Sequence, residues 1–122
     1  MTLPKVVASI VLVLIPLAAL AADASGTWTA TFDTQVGQQS YTYTFMVKGT
    51  QLTGRAKSAN GDVEITEGKV DGNTLSFVEN LNFQGMDLRI VYKGTLASDS
   101  EIKFTRTVAD IIMEEFVAKR SK

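Results

Sequence analysis

Few residues in this chain are equipped for chemistry, because it contains no histidine and no cysteine. Histidine triads, imidazole metal ligands, thiol nucleophiles and thiolate metal sites are all removed at once. Acid–base work would fall to carboxylates. Glu64 and Glu67 in "VEITEG" stand three positions apart, so a strand sends them to opposite faces. Glu79 and Asp87 flank the polar stretch "VENLNFQG", where a loop would let them approach, but a glycosidase-type pair also needs a cleft that no motif defines. Glu114 and Glu115 read as rim or tail charges. "GDVE", "VDGN" and "SDS" supply oxygens without the ligand spacing of a calcium loop. The expectation is no catalytic residue, no metal and no cofactor.

Binding chemistry is better represented. Tyr41, Tyr43 and Tyr92 combine an apolar ring with a hydroxyl that needs a partner when buried, and they are the candidates for lining a pocket. Trp28, the single tryptophan, follows Gly26 by two positions at the head of a strand, and Arg106 falls on the apolar face of a late strand. An inward guanidinium laid over an inward indole would close one end of a barrel, so Gly26, Trp28 and Arg106 are assigned to closure. The alternative for Arg106 is a carboxylate ligand.

The elements that must position these residues come from period two. Apolar and polar side chains alternate in "TWTATFD", "YTYTFMV", "MDLRIVYKG" and "EIKFTRTV", and turn residues interrupt the pattern about every 8 to 12 positions. Lys48 to Gln51, Asn60-Gly61, Asp71-Gly72-Asn73 and Ser98 to Ser100 read as hairpin turns. Residues 78–85 read as a longer loop or a bulged strand end. Residues 109–120 admit a helix or an eighth strand, and the strand is preferred because pairing it with the first removes an open edge. The fold class is all-β, an antiparallel meander of seven to eight strands closed into a small up-and-down β-barrel. Strands of about six to eight residues would each send three or four side chains inward, so bulky residues should fill the interior and leave at most a shallow recess at one mouth.

Ahead of this domain, "MTLPK" is followed by the uncharged run "VVASIVLVLIPLAAL" and by two small-residue cleavage sites, "ALA" (Ala19 to Ala21) and "ADA" (Ala22 to Ala24). That order reads as a secretory signal peptide. The rival, a permanent transmembrane anchor, is disfavoured because the apolar run is short for a span and no basic cluster follows it. Residues 1–24 are assigned to it and residues 25–122 to a single domain, secreted or periplasmic, with no membrane span after cleavage. The net charge is −1 and the basic residues are scattered along the sequence, which argues against a nucleic-acid partner.

"GTW" opening the first strand, with an arginine late in the chain, resembles the calycin superfamily of lipocalins, fatty-acid-binding proteins and avidins. The turn-rich body, "GKVDGNTLSF", "YKGTL" and "EEFVAKR", also resembles a group of small exported bacterial domains, some of them attached to hydrolases. The resemblance implies a barrel and export and transfers no catalytic residue. The reading is a non-catalytic module that binds a small apolar or amphipathic molecule, or a short glycan, at the barrel mouth. A structural or protein-interaction domain of the cell envelope is the alternative, and a histidine-free hydrolase or isomerase comes third.

Overall fold

A computed structural model describes residues 23–121. The leader assigned to residues 1–24 lies outside them, apart from Asp23 and Ala24. The nine strands are β1 (Gly26–Thr34), β2 (Gly37–Lys48), β3 (Gln51–Ser58), β4 (Gly61–Glu64), β5 (Thr66–Asp71), β6 (Thr74–Phe83), β7 (Met86–Ser98), β8 (Glu101–Val108) and β9 (Ile112–Arg120). All pairings are antiparallel. β4 and β5 run one after the other along β3, through Arg55↔Glu64 and Gln51↔Lys69. The circuit β1-β2-β3-β5-β6-β7-β8-β9 returns to β1 at Trp28↔Arg120, giving a closed eight-stranded up-and-down barrel with β4 as the extra strand.

The expected turns fall between strands. β2 ends at Lys48 and β3 begins at Gln51; Gly72-Asn73 and Asp99-Ser100 join the later pairs. Two expectations change. Residues 78–83 are not a loop: β6 continues without a break to Phe83, paired residue by residue with β7. Several strands also exceed the expected length, β2 having 12 residues and β7 13. The irregular element lies elsewhere, between Thr66 and Lys69, where a bulge puts Glu67 at φ 54° and brings its carboxylate to Arg89 at 2.7 Å. Residues 112–120 form the strand that closes the barrel.

Aromatic rings fill the interior. Phe32 stacks on Phe116 at 4.0 Å between centroids and Phe77 on Tyr92 at 4.3 Å, with Tyr43 and Phe104 edge-on or tilted among them. Eight strands leave room inside for side chains or one small ligand. Here side chains take it. Gly94 shows how closely the wall fits: a Cβ there would lie 2.6 Å from the Phe104 ring. Gly94→Ala should therefore lower stability by about 1–3 kcal/mol through overpacking, read as a shift in the urea midpoint with an unchanged slope; an unchanged midpoint would show that Phe104 has room to move.

Candidate functional site

One end of the barrel is closed by Trp28, but with a different arginine from the one expected. β1 pairs with β9 at Trp28↔Arg120, so the Arg120 side chain enters beside the indole, its guanidinium carbon 4.4 Å from the ring centroid. All three guanidinium nitrogens donate to backbone carbonyls: Nε to Asp99 at 2.7 Å, Nη1 to Ser25 and Nη2 to Asp23, both at 2.8 Å. The indole Nε1–H donates to the Ala24 carbonyl at 2.9 Å. Glycine suits position 26 because its φ of 132° is one that other residues rarely adopt, and a Cβ there would also press on Arg120 Nη1 at 2.8 Å. Gly26 and Trp28 are thus at the closure, and Arg106 is not. Register explains the correction. Arg106 stands opposite Glu114, close to the β8–β9 turn, whereas Trp28 lies at the level where β8 begins.

Arg106 instead sits among the tyrosines, toward the other mouth. Its Nε donates to Glu114 Oε1 at 2.6 Å and its Nη1 to the Tyr92 hydroxyl at 2.9 Å. Tyr92 donates to Glu79 Oε1 at 2.7 Å, Tyr41 donates to Glu79 Oε2 at 3.0 Å, and Tyr43 donates to the Tyr92 oxygen at 3.1 Å. The guanidinium carbon also lies 4.8 Å from the Phe32 centroid and 5.3 Å from that of Tyr41. Glu79 is 1% exposed and Arg106 5%. Among the described residues, no buried side-chain nitrogen or oxygen lacks a partner.

The electrostatics follow from burial. Removal from water pushes the Glu79 carboxyl above its ordinary value, against the opposing pull of the Tyr92 and Tyr41 hydroxyls and of Arg106. Burial also raises the Tyr43 and Tyr92 phenols well above theirs, with the Glu79 charge adding to the rise. For Arg106 burial acts downward but is outweighed by the Coulombic pull of Tyr92 and the hydrogen bond to Glu114, so the guanidinium stays charged.

This arrangement brings together Tyr41, Tyr43, Tyr92 and Arg106, and adds two residues missed in the sequence. The sequence places Glu79 in a loop or bulged strand end and Glu114 at the rim or tail. Both face inward, and parity carried the signal: Leu75, Phe77, Glu79 and Leu81 alternate without a break, as do Glu114, Phe116 and Ala118. The expected approach of Glu79 to Asp87 does not occur, because Asp87 pairs with Asn82 on the exposed face. Both Glu79 oxygens are engaged by phenols, so this carboxylate has no free oxygen to offer a substrate.

Outside the barrel, a groove of about 930 Å³ crosses β5 to β9. Lys69, Lys93, Lys103, Thr95, Thr105 and Glu115 are among its lining side chains, and Gly94 lies in its floor. A smaller recess of about 260 Å³ lies beside the Trp28 end, between Ala24, Val47 and Leu96. The three lysines, scattered along the sequence, come together because neighbouring strands place Lys69 opposite Ser76, Ser76 opposite Lys93, and Lys103 opposite Thr95.

No protein-family model and no curated protein matches this chain. A solved structure to which it is similar is that of Treponema pallidum Tp0751 (pallilysin), at 14% identity over 80% of each chain with a TM-score of 0.46.

Two substitutions separate the arginines and the carboxylate. Arg120→Ala removes three hydrogen bonds and the indole contact and should cost about 1–3 kcal/mol; full stability in a denaturant titration would show that Trp28 closes the barrel unaided. For Glu79 the sign is set by its raised pKa. The folded state holds the proton more tightly, so the contribution is full below the ordinary value of 4.5 and is lost as pH rises through the folded value. Glu79→Gln should flatten the decline in stability with rising pH above 4.5. An unaltered pH profile would mean that this carboxyl titrates as it does when unfolded.

Proposed function

We propose that the protein is an exported, non-catalytic binding module of calycin-like type, whose ligand is a short, polar molecule such as an oligosaccharide held on the outer wall. The observation that carries this reading is the 930 Å³ groove, a volume in the range of small-molecule sites. A mouth site lined by Tyr41, Tyr43 and Tyr92 has less support. Their side chains are 3%, 0% and 0% exposed, and each hydroxyl is bonded to a protein group. An enzymatic reading has less still, because the inward carboxylate Glu79 has both oxygens taken.

Export rests on the order of residues at the N-terminus, and the fold bears on where the leader would be cut. Ala24 is 4% exposed within the core, and the Asp23 and Ala24 carbonyls hold Arg120 and Trp28. Cleavage after Ala21 keeps these groups; cleavage after Ala24 discards them. The mature protein should begin at Ala22 when its N-terminus is read by mass spectrometry. A chain beginning at Ser25 would show that closure does without them, and retention of Met1 would sink the leader itself.

An interaction domain of the envelope is the second reading. It is favoured by Val36, Met86, Ile111 and Met113, 62%, 63%, 83% and 68% exposed, all in or beside turns at the end away from Trp28. Calorimetric titration of the full chain with short oligosaccharides, set beside sedimentation with envelope extract, distinguishes the two. Oligosaccharide binding abolished by Lys93→Glu supports the groove. Absence of any oligosaccharide binding, with co-sedimentation lost on Ile111→Ser, would replace it with the interaction reading.

A further inference from the structure

The cations of the described residues divide in two. Arg55, Arg89, Arg106, Lys119 and Arg120 each lie within 4.0 Å of a carboxylate oxygen. Lys48, Lys57, Lys69, Lys93 and Lys103 have no carboxylate within that distance among the described residues, and the last three share one groove. Lys93 and Lys103 are diagonal neighbours across β7 and β8, about 7–8 Å apart at the backbone. Lys69 lies on the same row as Lys93 with β6 between them, two strand spacings of roughly 4.8 Å away. With Asp71 and Glu115 also in the lining, the groove keeps an excess of one positive charge, concentrated where the three lysines meet.

We infer that this groove binds an acidic oligosaccharide, with carboxylate groups along its chain set on Lys69, Lys93 and Lys103 and its hydroxyls on Ser76, Thr95 and Thr105. The inference rests on the reading of the protein as a binding module. Ser76, Thr95 and Thr105 alternate with the lysines across the strands, so cations and hydroxyls recur at the spacing of adjacent strands. A sugar acid presents the same alternation of anion and hydroxyl. A neutral glycan would need another source of affinity, commonly an exposed ring to stack on. Phe104 and Phe116 line the groove, but both are buried in the core and offer no open ring face for stacking.

The same facts disfavour nucleic acid. Single strands are held by aromatic platforms that this wall lacks. Asp71 and Glu115 stand at the β5 and β9 edges, where a phosphate on every residue of a polyanion would be repelled. A short ligand with three carboxylates can keep them on the three lysines and place hydroxyls there.

The test uses the full chain, isothermal titration calorimetry, a panel of tri-uronates, their methyl esters and an oligothymidylate. The tri-uronate of best fit should bind at least about tenfold more tightly than its methyl ester, and its affinity should fall as salt rises. Lys69→Gln/Lys93→Gln/Lys103→Gln should reduce that affinity by about tenfold or more, while Lys48→Gln/Lys57→Gln leaves it unchanged. Far-ultraviolet circular dichroism confirms that both variants fold. Equal binding of ester and acid would overturn the acidic ligand and leave the binding module standing. Failure of every saccharide would overturn both. Preference for the oligothymidylate would replace the sugar acid with a phosphate polymer.

Discussion

Glu79 places a carboxylate inside a ring-filled barrel, and much of the interior answers to it. A buried charge without partners costs several kcal/mol. Glu79 meets this with a phenol on each oxygen and a guanidinium nitrogen 4.0 Å away. Every one of those partners has its own requirement. Tyr92 accepts from Tyr43 and from Arg106 while donating to Glu79, so its oxygen is fully used. Arg106 then needs a second anion, which Glu114 supplies from β9. The chain of obligations spans β2, β6, β7, β8 and β9. A strand slipped by one residue would turn its member of the cluster outward and leave the others unpaired. The cluster therefore fixes register around most of the barrel, which apolar rings, being interchangeable in position, do less well.

The opposite end solves a different problem with a similar residue. Chain ends at a barrel rim carry carbonyls that strand pairing leaves free. Arg120 gathers three of them, from Asp23, Ser25 and Asp99, and lies on the indole of Trp28. It joins the segment before β1, the β7–β8 turn and the last strand. One arginine serves a buried anion and the other serves exposed backbone. Each also rests on an aromatic face, where a guanidinium is readily desolvated.

This division explains what the sequence could disclose. Strand identity was legible because alternation is local, as "TWTATFD" and "YTYTFMV" show, and the closing strand at 112–120 followed from the need to remove an edge. The polarity of "VENLNFQG" concealed β6, since Asn80 and Asn82 are the outward residues of a strand whose inward ones include a glutamate. An inward arginine was visible at Arg106. Its partner was not, because pairing depends on how far each strand is displaced along its neighbours, and that displacement leaves no mark in composition. The lysine groove was hidden for the same reason. Lys69, Lys93 and Lys103 are far apart in the chain and adjacent only after four strands, β5 to β8, are laid side by side.

A filled interior leaves the outer wall as the surface whose side chains are free of packing. In a barrel with an internal cavity, ligand affinity and core packing compete for the same volume. Here the rings and the Glu79 network occupy that volume, so the inner face contributes stability alone. The outward residues of β5 to β9 are released from packing, and cross-strand register determines how they are juxtaposed. The cluster that fixes register inside thereby also sets the spacing of cations outside: Tyr92 and Lys93 are consecutive on β7, and Arg106 follows Thr105 on β8. Disturbing the buried network would displace the outer rows with it. The internal charges act on the groove by holding the strands that carry it.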